Sequence, residues 1–354
     1  MSTSVFTQTI ARWFQRNFSS PEAVGLICFL FLTVLLLECF STILVPVIIS
    51  VIFAYLLAGV VGFFMRCRMP RSIAVLLTYS LFLGAVVALI MAVIPTFINQ
   101  LVHLARALPE AITRSQNSFS TWSQQYPSLF SPSVLNHALL LLKQHAAKIG
   151  QLVVTYSLLS VTGLMHTIIY FILVPLLVFF FLKDSTIITA WLSRFLPTHR
   201  RLIHTIWDDL QHKIGAYLRG RAIEMLIVSL VCLITFSALG LQYVFLLSIL
   251  VGLSVMVPYI GTVIAAISLL VVGWMQWGVG VHLGYVLLAF VIIVALDANI
   301  LFPLLFSETM GLHPVVIILS VLVFGGIWGF WGVFFAIPLA SLLRAILVAW
   351  PQVP

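Results

Sequence analysis

The chain has 354 residues, 62% of them hydrophobic and only 7% charged, with a mean hydropathy of +1.21 and a formal charge of +8. Soluble domains carry about 25% charged residues, so this surface cannot be dressed for water and most of the chain must be solvated by lipid. The basic residues flank apolar runs and form no RNP, zinc-finger or basic-helix pattern, which excludes nucleic acid as a partner.

A membrane span needs about 20 apolar residues, because a hydrocarbon core of about 30 Å is crossed at about 1.5 Å per residue. Eight runs meet or approach that length: 23–37, 43–65, 73–98, 155–182, 222–240, 243–274, 284–306 and 314–348. The expected fold is therefore all-α, a polytopic bundle of about eight membrane segments. The first run is short and ends at Glu38; with no small-residue cleavage site after it, it reads as a membrane helix rather than a signal peptide.

Five regions follow in order: membrane helices in 1–98, an extramembrane helical segment in 99–154, a fourth membrane helix in 155–182, a basic amphipathic segment in 183–221, and a membrane region in 222–354. Arg12 and Arg16, then Arg66, Arg68 and Arg71, the seven cations of 183–221, and Arg344 all fall on one side if the N-terminus is cytoplasmic. By the positive-inside rule both termini then face the cytoplasm. Between Thr198 and Tyr217, Leu202, Ile203, Ile206, Leu210 and Ile214 recur at helical spacing. Such a helix suits either an anionic leaflet or the flank of neighbouring membrane helices.

The last third carries the unusual features. The run 243–274 is too long for one crossing and is interrupted at Pro258, Tyr259 and Gly261; the run 314–348 is interrupted at Gly325, Gly326, Gly329, Gly332 and Pro338. Proline removes a backbone donor, and glycine loosens the helix. Freed peptide groups at membrane depth are tolerated only inside protein or along a hydrated cavity. Each run is either a kinked span or a re-entrant hairpin, and loops 275–283 and 307–313 hold no Lys or Arg to decide between them. Gly240, Leu241, Gly261 and Ala265 are echoed at identical offsets by Gly311, Leu312, Gly332 and Ala336, either a remnant repeat or a chance likeness.

Ionisable residues inside apolar runs are the candidates for chemistry. Asp297 is the sharpest, with Asn299 and Pro303 within two turns. It reads as part of a permeation pathway or as a buried interhelical hydrogen bond. Glu224, beside Arg219 and Arg221, is an interfacial ion pair or an ion-coupling group. Glu308 and His313 bracket the turn before the last run as capping or proton-relay groups. Trp328, among the glycines, lines a pathway or fills a close helix contact. HExxH, GxSxG and Walker A patterns are absent, and the four cysteines and the histidines lack metal-ligand spacing. No catalytic residue, metal or cofactor is expected.

Taken in order, Phe181 to Asp184, Pro258-Tyr259-Ile260-Gly261, Asp297 with Pro303, Leu312-His313-Pro314, Gly325-Gly326, Gly329, Gly332 and Ala336-Ile337-Pro338 resemble the autoinducer-2 exporter family of permeases over essentially the whole chain. The resemblance implies an oligomeric transporter of the bacterial inner membrane. Activities ascribed within the family are export of autoinducer-2 and sodium/proton antiport. This chain departs from many members at Phe306-Ser307 and Ile267-Ser268, where glycine and proline are common. The leading expectation is a permease exporting a small polar solute. Its rivals are a cation/proton antiporter using Asp297, Glu224 or Glu308, and a non-transporting envelope protein that organises partners.

Overall fold

The computed structural model describes residues 40–125, 161–192, 201–306 and 312–349, with parts of 140–151 and Arg194. The first apolar run and residues 126–139, Glu308 and Gly311 lie outside the described residues. Among the described residues every regular element is helical. Six helices among the described residues are long and apolar enough to cross a membrane, or seven if one bent pair is counted as a span.

The elements are α1 (Ser41–Arg66), α2 (Arg71–Ala88), a π-helical turn at Leu89–Val93, α3 (Ile94–Gln125), α4 (Val161–Lys183), α5 (Ser185–Leu192) and α6 (Arg201–Ala238). They continue as α7 (Val244–Ser254), α8 (Ile260–Trp277), α9 (Val281–Leu296), a second π-helical turn at Asp297–Leu301, α10 (Phe302–Phe306), α11 (Pro314–Phe334) and α12 (Ala336–Ala349). They divide into two compact units, described in turn.

The first unit comprises the chain up to Phe82, Ile169–Arg221 and the chain from Phe306 onward. Its interior contains a proline-linked contact. Ser50 Oγ donates to the Pro46 carbonyl of its own helix at 2.6 Å, and approaches the Val174 carbonyl on α4 at 3.3 Å. Phe82 packs on Phe53, and Tyr79 on Phe179, with ring centroids 5.3 and 5.0 Å apart. The apolar side chains left outside, such as Phe63, Ile73 and Leu81, are what a lipid-facing surface requires.

The second unit comprises Leu83–Ile168 and Ala222–Leu305. Its core joins Val228, Cys232 and Phe236 of α6 to Leu247 and Val251 of α7, Ala265, Leu269 and Val272 of α8, and Val286, Phe290 and Ile293 of α9. Both π-helical turns lie here, and each ends two residues before a proline, Pro95 or Pro303. A proline ring clashes with the carbonyl four residues back and has no N–H to give it. Widening the preceding turn relieves the clash, so the Ile94 and Phe302 amides bond five residues back, to Leu89 and Asp297.

The amphipathic stretch and the fifth span are one continuous helix, α6, and Glu224 lies on it three residues after Arg221.

Candidate substrate pathway

In the second unit, α7 and α8 form a helical hairpin. Gly240 takes φ +68° to end α6, and Leu241 N–H closes back on the Phe236 carbonyl. The Gln100 side chain on α3 accepts from Leu246 N–H at 2.8 Å, capping the start of α7. At the same end, Gln276 from the finish of α8 accepts from Gln242 N–H at 2.7 Å and donates to the Gly240 carbonyl at 2.8 Å. The two limbs thus begin and finish side by side. With 11 residues, α7 reaches only about 17 Å, too short to cross alone. The run 243–274 is thus folded back on itself as a helical hairpin.

Its apex is the Pro258 interruption. Met256 N–H bonds the Leu253 carbonyl and Val257 N–H the Ser254 carbonyl, ending α7 in tight turns. Tyr259 then takes φ 64°, ψ −54°, and Ile260 N–H closes on the Pro258 carbonyl at 2.7 Å. That is a γ-turn of the rarer, strained hand, held at a tyrosine that is 59% exposed. A Cβ on Gly261 would overlap the Ser254 carbonyl oxygen, so only glycine lets the returning limb pass.

The first unit contains a second reversal of the same kind. Gly329 takes φ 58°, ψ −135° within α11. A Cβ on Gly332 would overlap the Phe324 carbonyl oxygen, and one on Gly325 would meet Val333 Cγ2 at 2.7 Å. The chain therefore doubles back at Gly329, and residues 314–349 also form a hairpin. Trp328 stacks on Phe324 with planes 7° apart, while its Nε1 is shielded and has no hydrogen-bond partner among the described residues. A Cβ on Gly326 would meet open space. At the hairpin's start His313 Nδ1 accepts from Val315 N–H at 3.3 Å, the capping arrangement, with Pro314 following.

The sequence echo has a counterpart in these hairpins. Gly261 and Gly332 are both pressed on the carbonyl of the preceding limb, and at identical offsets Ala265 and Ala336, then Leu269 and Ala340, are buried.

Asp297 opens the second π-helical turn. Its Oδ1 is shut off from solvent. The carboxylate is thus turned into the second unit, as the insertion cost of a charge at membrane depth requires. Asn299 donates its amide to the Ala295 carbonyl at 2.8 Å on the exposed side of the same helix, and Pro303 is exposed one turn on. Within this unit Glu224 is 0% exposed. Two carboxylates, on α6 and after α9, thus point inward.

Sequence reasoning missed Arg221, taken for one more flanking cation. It is 3% exposed. Its Nε donates to Tyr217 Oη at 3.3 Å, and that hydroxyl donates to the Phe334 carbonyl at 3.1 Å. The guanidinium lies 5.1 Å from the Phe306 ring centroid and 5.5 Å from that of Tyr217. Gly220 makes room for Phe306: a Cβ there would come within 2.7 Å of the ring. The available signal was spacing, since Tyr217, Arg221 and Glu224 fall on one face of a helix.

Apolar helices of spanning length, two reversals within apolar runs and inward carboxylates define a polytopic α-helical membrane protein with interrupted segments, the class that includes secondary transporters. Residues 25–352 match the family described as AI-2E family transporter. The protein named Putative permease PerM in Escherichia coli (strain K12) is 36% identical over 345 residues, which cover 98% of each chain. Putative transport protein YueF of Bacillus subtilis (strain 168) is 28% identical over 317 residues, 86% of this chain and 83% of YueF. A Putative transport protein of Thermotoga maritima is 25% identical over 321 residues, 89% of this chain and 90% of the relative. The chain belongs to the AI-2E transporter family and is a multi-pass membrane transporter in contact with the lipid bilayer.

Proposed function

We propose that the protein exports or facilitates passage of a small polar solute, of the size and polarity of autoinducer-2, across the bacterial inner membrane. The observation that carries this reading is the pair of helix reversals at Pro258–Gly261 and Gly325–Gly332. Backbone interrupted at membrane depth offers peptide groups to a polar solute without a net charge, and paired interrupted segments mark the binding regions of transporters. Asp297, sheltered inside its unit, adds one fixed acceptor. Export down a gradient needs no dedicated coupling ion. The protein works as a homo-oligomer with both termini in the cytoplasm.

Solute flux in proteoliposomes tests the reading. Asp297→Asn and Gly261→Leu are expected to cut flux at least tenfold in folded protein. Wild-type rates in both variants, for every small polar solute that the wild type carries, would sink it.

Cation/proton antiport is the second reading, favoured by the full burial of Glu224 together with the shielding of Asp297. Under it, a sodium jump across sealed vesicles moves protons in the wild type and not in Glu224→Gln or Asp297→Asn. A sodium jump that moves no protons in the wild type removes it.

A further inference from the structure

At one corner of the first unit the chain changes direction sharply. Ser185–Trp191 turns 85° from the axis of Tyr170–Lys183. A helix perpendicular to a span lies in the plane of the membrane surface, where α5 leaves Ile187 67% and Trp191 56% exposed. Tryptophan and isoleucine so placed suit the boundary between headgroups and acyl chains.

The same corner is basic. Arg71 Nη2 donates to Ser185 Oγ at 2.8 Å, tying the start of α5 to the α1–α2 turn. That turn carries Arg66 and Arg68, both exposed, and Arg68 holds a left-handed backbone with φ 65°. Exposed Lys183 ends α4, its ammonium 5.7 Å from the Phe179 ring centroid, and Arg194 follows α5. Asp184 is the one acidic residue in 66–71 and 183–194. Five cations against one carboxylate, beside an exposed apolar helix in the membrane plane, make a surface complementary to phosphate above acyl chains.

We propose that this corner binds the headgroups of anionic phospholipids, with Arg68, Arg71 and Lys183 contacting phosphate and Trp191 seated at the acyl boundary. Such contacts fix the depth of the α4–α5 bend in the bilayer, whatever solute the transporter carries.

The test uses the full chain in nanodiscs of phosphatidylcholine containing phosphatidylglycerol, with retained phosphatidylglycerol counted by native mass spectrometry. Each cation removed is expected to weaken apparent phosphatidylglycerol affinity about fivefold. Arg68→Gln with Lys183→Gln leaves the Arg71–Ser185 bond in place, so the comparison stands even if a triple variant with Arg71→Gln does not fold. Lys143→Gln with Lys148→Gln, exposed cations elsewhere, serves as the control and should retain wild-type affinity. Brominated phosphatidylglycerol should also quench wild-type fluorescence more than it quenches Trp191→Phe. Unchanged retention in the Arg68/Lys183 variant, or an equal loss in the control, overturns the proposal.

Discussion

Gly261 and Gly332 hold their places by what they lack. In each, a methyl group would sit on a backbone carbonyl that has no rotamer by which to move aside. Alanine at either position should therefore cost about 1–3 kcal/mol, the usual range for overpacking, read as a lower midpoint in SDS unfolding titrations. Alanine at Gly62 or Gly84, where a Cβ meets nothing within 4 Å, serves as the reference and should be near neutral. Tyr217 invites a different test, because its hydroxyl both receives from Arg221 and donates to Phe334. Tyr217→Phe keeps the ring against Phe306 yet leaves a buried guanidinium and a carbonyl short of a partner. The same titration should register about 1–3 kcal/mol. Arg221 and Asp297 differ in how readily each declared itself. A carboxylate within Val294–Pro303 has nothing polar beside it except Asn299, so composition alone marks it as inward-facing. Arg221 sits in a sequence already rich in cations, and what buries it, Phe306 and the Phe334 carbonyl, comes from far along the chain.

The hairpin of α7 and α8 is fastened limb to limb at its mouth by Gln276. Gln276→Leu removes both bonds and leaves the Gly240 carbonyl and the Gln242 N–H seeking new partners, a loss of about 1–2 kcal/mol. Hydrogen exchange should rise first at Gln242–Leu246; protection unchanged there would mean the mouth is held by packing alone. Apolar runs were legible because hydropathy needs only composition, whereas the choice between kinked span and hairpin was not. Both limbs of 243–274 are apolar, and the adjoining loop carries no cation to report its side of the membrane. What decides it is a carbonyl at Ser254 meeting a glycine seven residues later. The π-helical turns were half legible: Pro303 was a visible warning beside Asp297, while Pro95 performs the same operation on Leu89–Val93 without any polar residue to draw notice.

At the scale of the molecule, the reading of both interrupted runs as re-entrant makes a definite topological prediction. With the 183–221 segment cytoplasmic, a cysteine at Gly280 should react with an impermeant maleimide added outside intact cells, and one at His313 only after permeabilisation. The opposite pattern would mean two full crossings in place of two hairpins. The apolar runs were visible in the sequence, but their grouping into two units was not, because each unit is assembled from distant pieces of chain. The glutamine-fastened mouth also bears on how the protein is made. A limb of 11 residues cannot be handed to lipid by itself, and its fastening lies 30 residues or so further on, at Gln276. The insertion machinery must therefore shelter Val244–Ser254 until α8 has emerged from the ribosome, and release the two limbs together as one wedge.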